Sequence, residues 1–427
     1  MTTLYRFTTA DGLVQLIHPN SSVSLHVEAV HHHQLNGQAT VPPAFAVVKD
    51  LLAFDQLVCD FDETITDHDT TCSFDTLASQ VRPDHFADPQ MTWPEILQAY
   101  LDDLEKVNVS DLCHLNNTPS SSLPPPATTD KGLFHPQPQP THRLLDPKIR
   151  ELKCHIDGRT FTPEPELPVP KVPSLQPWIH SQVRKRAVEK VSLDRVSESG
   201  NLVGLTKAQI RDYGRHQIRL RPGVVEFLRA FVQEQDRREK ASTEGSGVDA
   251  QGEEGLRARR RGELWIVSVN WSEDLIRGAM DQVFGSEEAT ERYLPDSNLT
   301  SSNLEFKEEG HEMLVRRMKT ANGNVRSKEE ESDAGTAEHF SNGEVKVRCL
   351  TGTDKLHAFQ KIQRDYATRH GLALTDTKWA YLGDSSTDLG CLVEADVGII
   401  IGKSKSLLTE CERSGIQVID LVLKDTQ

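Results

Sequence analysis

Residues 57–62, LVCDFD, decide how the rest of the chain is read. A short apolar run that ends in two acids has the form of a buried strand whose carboxyl end reaches a ligand. Four other runs share this character: LWIVSV (264–269), WAYLGD (379–384), VGIII (397–401) and IQVIDL (416–421). All are rich in Val, Ile, Leu or aromatic residues, as strands covered on both faces should be. Helical patterns alternate with them over 223–235, 272–283, 354–370, 386–394 and 404–413. This alternation predicts an α/β fold with a Rossmann-like, doubly wound parallel sheet. The interval from about 70 to 220 breaks the pattern and reads as mostly helical. Within it, Thr92–Glu95 and Thr206–Gln209 have capping-box spacing. The expected organisation is therefore an N-terminal extension over 1–45, a core formed by 46–75 and 220–425, and an inserted helical cap over 76–219.

The composition of the 427 residues narrows the function classes. There are 48 Lys and Arg against 64 Asp and Glu, a formal charge of −16. That balance argues against a nucleic-acid or anionic-membrane binder, which must neutralise rows of phosphates. No apolar run approaches the roughly 18 residues of a membrane span, and the first residues show no basic segment followed by an apolar one. The seven cysteines are scattered without a CxxC pair, which suits a reducing compartment and disfavours a structural zinc site. A cytoplasmic protein is expected. The hydrophobic fraction of 37% is low for one compact enzyme, and polar insertions account for it. Seven of the 22 prolines fall within 116–141 and six within 163–177, both read as Pro-rich inserts in the cap. Residues 236–262, with 13 charged residues in 27, and 317–345 are read as solvated, disordered loops.

The acids fall where a parallel sheet binds ligands, beyond the carboxyl ends of its strands. Asp60 and Asp62 end the first strand, Ser268 lies near the end of the second, and Asp384 ends WAYLGD with Asp388 four residues on. Carboxylates converging on one rim repel one another unless a cation sits among them, and all-oxygen ligation points to Mg²⁺. Mg²⁺ beside carboxylates suggests a phosphoryl group as the remaining ligand. One aspartate then serves as nucleophile and its neighbour as acid and base. Ser268 is placed to donate to a phosphoryl oxygen, and Lys355 to offset its charge.

In this order and on these elements, DFDET (60–64), Ser268, Lys355 in TGTDKLHAF and GDSSTD (383–388) resemble the four motifs of the haloacid-dehalogenase-like (HAD) hydrolases. The resemblance covers about 46–75 and 220–425. It implies Asp60 as nucleophile and Asp62 as general acid and base. It also implies Mg²⁺ on Asp60, the Asp62 main-chain carbonyl and Asp384, with Thr64, Ser268 and Lys355 on the phosphoryl group and Asp388 in support. An acid at position 62 favours the phosphatase branch. SVNWSEDLIRGAM (268–280) and YLGDSSTDLGCLVEADVGIIIG (381–402) are similar to the phosphatase part of the plant thiamine-salvage proteins, which implies thiamine monophosphate as a substrate. In those proteins a thiaminase II-like domain is joined to the phosphatase. With about 50 residues ahead of the first motif, that partner is not expected here.

The substrate is thus expected to be a small phosphomonoester. Trp271 reads either as a platform for a flat substrate ring or as core, and Trp93 and Tyr100 read more simply as packing. His31–His33 reads as incidental. A phosphomutase sharing the aspartate pair, and a non-catalytic protein using the inserts as partner sites, remain as alternatives.

Overall fold

The computed structural model of the chain describes residues 2–7, 23–28, 54–81, 91–115, 154–156, 158–163, 167–244, 262–307 and 339–425. The Pro-rich stretch 116–141, the histidines at 31–33 and residues 245–261 and 317–338 lie outside them. The strands are β1 (Thr3–Phe7), β2 (Val23–Glu28), β3 (Gln56–Cys59), β4 (Cys154–Ile156), β5 (Arg159–Phe161), β6 (Val203–Thr206) and β7 (Leu264–Val267), followed by β8 (Leu299–Thr300), β9 (Asn303–Lys307), β10 (Phe340–Lys346), β11 (Trp379–Gly383), β12 (Val397–Ile401) and β13 (Gln417–Asp425). The helices are α1 (Ser73–Val81), α2 (Trp93–Leu115), α3 (Gln176–Ser199), α4 (Lys207–Gln217) and α5 (Val224–Glu244), then α6 (Glu273–Phe284), α7 (Glu287–Tyr293), α8 (Gly352–His370), α9 (Leu389–Glu394) and α10 (Lys405–Arg413).

The main sheet has eight strands in the order β2-β13-β1-β12-β11-β3-β7-β8. Every neighbouring pair is parallel except β2 with β13, so the sheet is parallel with one antiparallel edge. All five predicted strands are present. In β3, β7, β11 and β12 every residue is buried, and alternation sends their side chains into two cores. Leu57, Cys59, Ile266, Leu382 and Ile399 meet α5 and α6 on one face, through Phe227, Phe231, Ile276 and Met280. Val58, Trp265, Trp379, Tyr381 and Ile400 meet α8, α9 and α10 on the other, through Leu356, Phe359, Leu392 and Leu407. Helices on both faces make the fold α/β and doubly wound, as expected.

Four readings from the sequence need correction. First, residues 3–7 are no extension: β1 sits between β13 and β12. Leu4 and Phe7 are buried, and the Arg6 guanidinium grips the Asp420 carboxylate on the neighbouring strand. A buried arginine reads as polar until its partner is known.

Second, the segment 317–345 is not polar loop throughout, because Phe340–Lys346 is the central strand of a small sheet, β6-β10-β9. Its inward positions are Ser341 and Gly343, so hydrophobic alternation is absent. The Ser341 hydroxyl bonds to Leu202 O and accepts from Leu205 N. Gly343 has φ 85°, and an added Cβ would meet the Val203 side chain at 2.7 Å.

Third, the charged stretch after 235 begins as helix, since α5 runs to Glu244. There Asp236 accepts from the Tyr293 hydroxyl (2.7 Å) and from Arg292 (3.2 Å). Fourth, the Pro-rich stretch 163–177 contributes to the core: Leu167, Val169 and Val172 pack against the second face and Leu175 is fully buried.

The interval between β3 and β7 is mixed in role. Helix α3 buries Trp178 and Ile179 in the second core. Farther along, Ala187, Val188 and Val191 build a small separate core with Ile156 and with Tyr100 and Leu104 of α2. Arg195 to Asp103 (2.7 Å) and Tyr100 to Glu189 (2.7 Å) tie α2 to α3. Thr206 caps α4 with the capping box its spacing predicts. Helix α4, assigned from sequence to the cap, instead crosses α6 of the main core at two glycines. A Cβ on Gly278 would lie 2.0 Å from Arg211 O, and one on Gly214 would lie 2.3 Å from Leu275 O. Gly278→Ala is expected to cost about 1–3 kcal/mol by forcing these backbones apart, read as a lower denaturant midpoint at unchanged slope. An unchanged midpoint would show that the helices do not meet so closely.

Candidate active site

In this sheet β3 is followed by β7 on one side, while β11 flanks it on the other. The crevice beyond the carboxyl ends of β3 and β11 is thus a topological switch point, where parallel sheets place ligands. Asp60 N–H donates to Leu382 O at 2.9 Å, extending the ladder one residue and holding the Asp60 main chain against β11. The chain then turns sharply. Glu63 has φ 55°, and it is the one non-glycine residue with positive φ among the described residues. A left-handed residue without a glycine's freedom costs roughly 1–2 kcal/mol. Here Arg221 donates to its carbonyl and its own N–H donates to Thr66 Oγ1 at 3.0 Å.

Asp60, Asp384 and Asp388 are all buried, and each offers an oxygen within 4.8 Å of the others. Lys355, on the first turn of α8 and wholly buried, places Nζ 2.8 Å from both Asp60 Oδ2 and Asp388 Oδ1. Burial opposes its charge, but the Asp388 and Asp60 carboxylates outweigh that and hold the ammonium well above the ordinary lysine range. Burial pushes Asp60 upward, Asp388 adds to this, and Lys355 opposes it. Asp384 is pushed up to about 7, by burial first and then by Asp388. With all three carboxylates ionised, one ammonium would leave two negative charges among buried groups. Uncompensated buried charge costs several kcal/mol per ion, so this donor set, all oxygen and doubly negative, suits a divalent cation such as Mg²⁺.

The remaining predicted residues divide. Ser268 is fully buried beside the rim. Its N–H donates to Thr300 O (2.9 Å) and its Oγ accepts from Asn270 N (3.2 Å), which leaves the hydroxyl hydrogen for an acceptor in the crevice. Asp388 is saturated: Oδ1 accepts from Lys355 and from the Tyr381 hydroxyl (3.0 Å), and Oδ2 accepts from the N–H groups of Asp384 and Ser385 and from Ser385 Oγ. Its supporting part is therefore played on Lys355.

Thr64 is buried and its hydroxyl donates to Asp384 Oδ1 at 2.8 Å, which commits that hydrogen to the carboxylate. Asp62 turns its carboxylate toward Thr70 and Asn270, leaving any metal contact from this residue to its main-chain carbonyl. Trp271 stacks on Phe74 of α1 (6.2 Å, 24°) and on Trp93 of α2 (6.2 Å, 17°). Its half-buried indole joins these helices to the core, which supports the packing reading.

Three residues escaped the sequence reading: Thr70, Asn270 and Tyr381. Tyr381 looked like one more apolar residue of a strand. Asn270 stands two residues after Ser268 in the turn before α6, a position where Asn reads as ordinary turn chemistry. Neither a protein-family model nor a curated protein matches this sequence.

Proposed function

We propose that the chain is a Mg²⁺-dependent phosphomonoester hydrolase of the haloacid-dehalogenase-like class that works through an aspartyl phosphate. The observation that carries this reading is the buried constellation of Asp60, Asp384, Asp388 and Lys355 at the switch point of the sheet, with Ser268 and Asp62 beside it. Bound Mg²⁺, held by Asp60, Asp384 and the Asp62 carbonyl with Asp388 close by, would offset the charge of the carboxylates and the phosphoryl oxygens.

The residues divide the chemistry. A carboxylate oxygen of Asp60 attacks phosphorus, the ester P–O bond breaks, and Asp62 gives its proton to the departing oxygen. Asp62 then takes a proton from water, whose oxygen attacks the phosphorus of the acyl phosphate. Inorganic phosphate leaves and the Asp60 carboxylate is restored. Lys355 and the Ser268 hydroxyl stabilise the charge on the transferring group.

For the substrate we propose thiamine monophosphate or an aromatic phosphomonoester of similar size. The resemblance of 268–280 and 381–402 supports it. So does the charge beside the crevice, since burial raises Asp62 and Asp384 first and the exposed Asp69 and Glu63 add to it, and these two acids would favour a cationic leaving group. The test is phosphate release from a panel of phosphomonoesters, with excess EDTA and then with Mg²⁺ restored. Release should stop with chelator and return with Mg²⁺, because otherwise carboxylates and phosphoryl dianion repel one another. Full activity in EDTA would overturn the metal requirement. Isomerised sugar phosphate in place of free phosphate would show a mutase.

A further inference from the structure

Asn270 and Thr70 lie outside the four motifs of the wider resemblance, yet their side-chain donors are committed to one carboxylate or to each other. Asn270 is 1% exposed and Thr70 is fully buried. The amide orientation of Asn270 is settled by its surroundings: Oδ1 accepts from Ser272 N–H at 3.0 Å, so the NH₂ group must face the other way. There Nδ2 donates to Asp62 Oδ2 at 3.1 Å and to Thr70 Oγ1 at 2.8 Å. Having accepted from Asn270, Thr70 Oγ1 donates its own hydrogen to Asp62 Oδ1 at 2.5 Å, and Thr70 N–H donates to the same oxygen at 3.0 Å. The ring Asn270–Thr70–Asp62 is closed, with three donor contacts on the carboxylate and one between Asn270 and Thr70.

The count of lone pairs has a chemical consequence. A carboxylate oxygen has two in-plane sites for hydrogen. Oδ1 of Asp62 has both taken by Thr70, whereas Oδ2 has one taken by Asn270 and one open among the described residues. We infer that Asn270 and Thr70 are positioning residues that clamp the general acid and base, and that Oδ2 is the atom of Asp62 that carries the transferred proton. The inference rests on the hydrolase reading above. Asn270 also donates its main-chain N–H to Ser268 Oγ, so one side chain and its own backbone fix the proton donor and a phosphoryl contact relative to each other.

In the first step, which kcat/KM reports, a misplaced acid harms only those esters whose leaving oxygen needs a proton, whereas the later base step is common to every ester. The first step therefore separates positioning from general stability. Phenolate, with a conjugate-acid pKa near 10 by analogy with tyrosine, departs poorly without one. p-Nitrophenolate is a far better leaving group and departs unprotonated. The measurement is kcat and KM with Mg²⁺ for phenyl phosphate and p-nitrophenyl phosphate, on wild type, Asn270→Ala, Thr70→Val and Thr70→Ser. Loss of proper acid catalysis should lower kcat/KM on phenyl phosphate by roughly 10–10²-fold, part of the range for the whole acid–base group. On p-nitrophenyl phosphate, whose leaving group needs no proton, kcat/KM should fall no more than about threefold. Thr70→Ser keeps the hydroxyl and should restore the wild-type ratio.

Equal loss of kcat/KM on both esters in Asn270→Ala and Thr70→Val would overturn the inference while leaving the hydrolase reading intact. Wild type that releases no phosphate from any ester would overturn both. Thr70→Val, nearly the same shape as Thr, provides the decision if Asn270→Ala does not fold.

Discussion

Asp60→Asn should abolish turnover while leaving the protein folded. The amide cannot attack phosphorus to make an acyl phosphate, and removal of a covalent nucleophile costs many orders of magnitude in rate. Phosphate release in the presence of Mg²⁺ should drop below about a thousandth of wild type. Stability should move the other way when metal is absent. Asp60 sits among Asp388 and Asp384, whose charges add to the burial penalty on its ionised form. An uncharged amide relieves that repulsion, although it weakens the contact with Lys355. The metal-free variant should therefore unfold at a denaturant concentration equal to or above that of wild type. A variant keeping more than about a tenth of the activity would remove Asp60 from the nucleophile's role.

Lys355→Met should be the most damaging change to the fold within the site. Its ammonium is the cation that the structure sets between Asp60 and Asp388, and all three groups are buried. Removing one partner of a buried ionic cluster leaves uncompensated charge and typically costs about 3–5 kcal/mol. Without metal, the midpoint of denaturation should fall by that equivalent, and activity should be lost with it. The double variant Lys355→Met, Asp388→Asn should regain part of the stability, because the amide removes one of the stranded charges. It should not regain activity. If Lys355→Met unfolds at the wild-type midpoint, the ammonium does not hold the acids together. If the double variant is no more stable than the single, Asp388 is not the charge left uncompensated.

The sequence by itself determined the layout of the sheet's centre. Strands such as LWIV and VGIII are covered on both faces, so they are continuous apolar runs, and the helices between them carry their own caps and periodicity. These are local properties, visible in a window of a few residues. The acids at strand ends were legible for the same reason, since position along one strand fixes the rim to which a residue belongs. Asp60, Asp384, Asp388 and Lys355 are accordingly gathered in one cluster, and Ser268 is tied through Asn270 to Asp62.

Tertiary structure alone decided the rest, wherever a residue's character depends on a partner distant in the chain. Arg6 becomes a core residue through Asp420, 414 positions away. Ser341 and Gly343 become the inward face of a strand because Leu202, Val203 and Leu205 receive them. The same dependence reassigns the site. Thr64 donates to Asp384, Trp271 stacks on Phe74 and Trp93, and Asn270 turns from a turn residue into part of a clamp on Asp62. A hydrogen bond or a ring stack has a direction and a reach of a few ångströms. Which group satisfies it is settled only when the sheet closes and brings non-neighbouring segments to that distance.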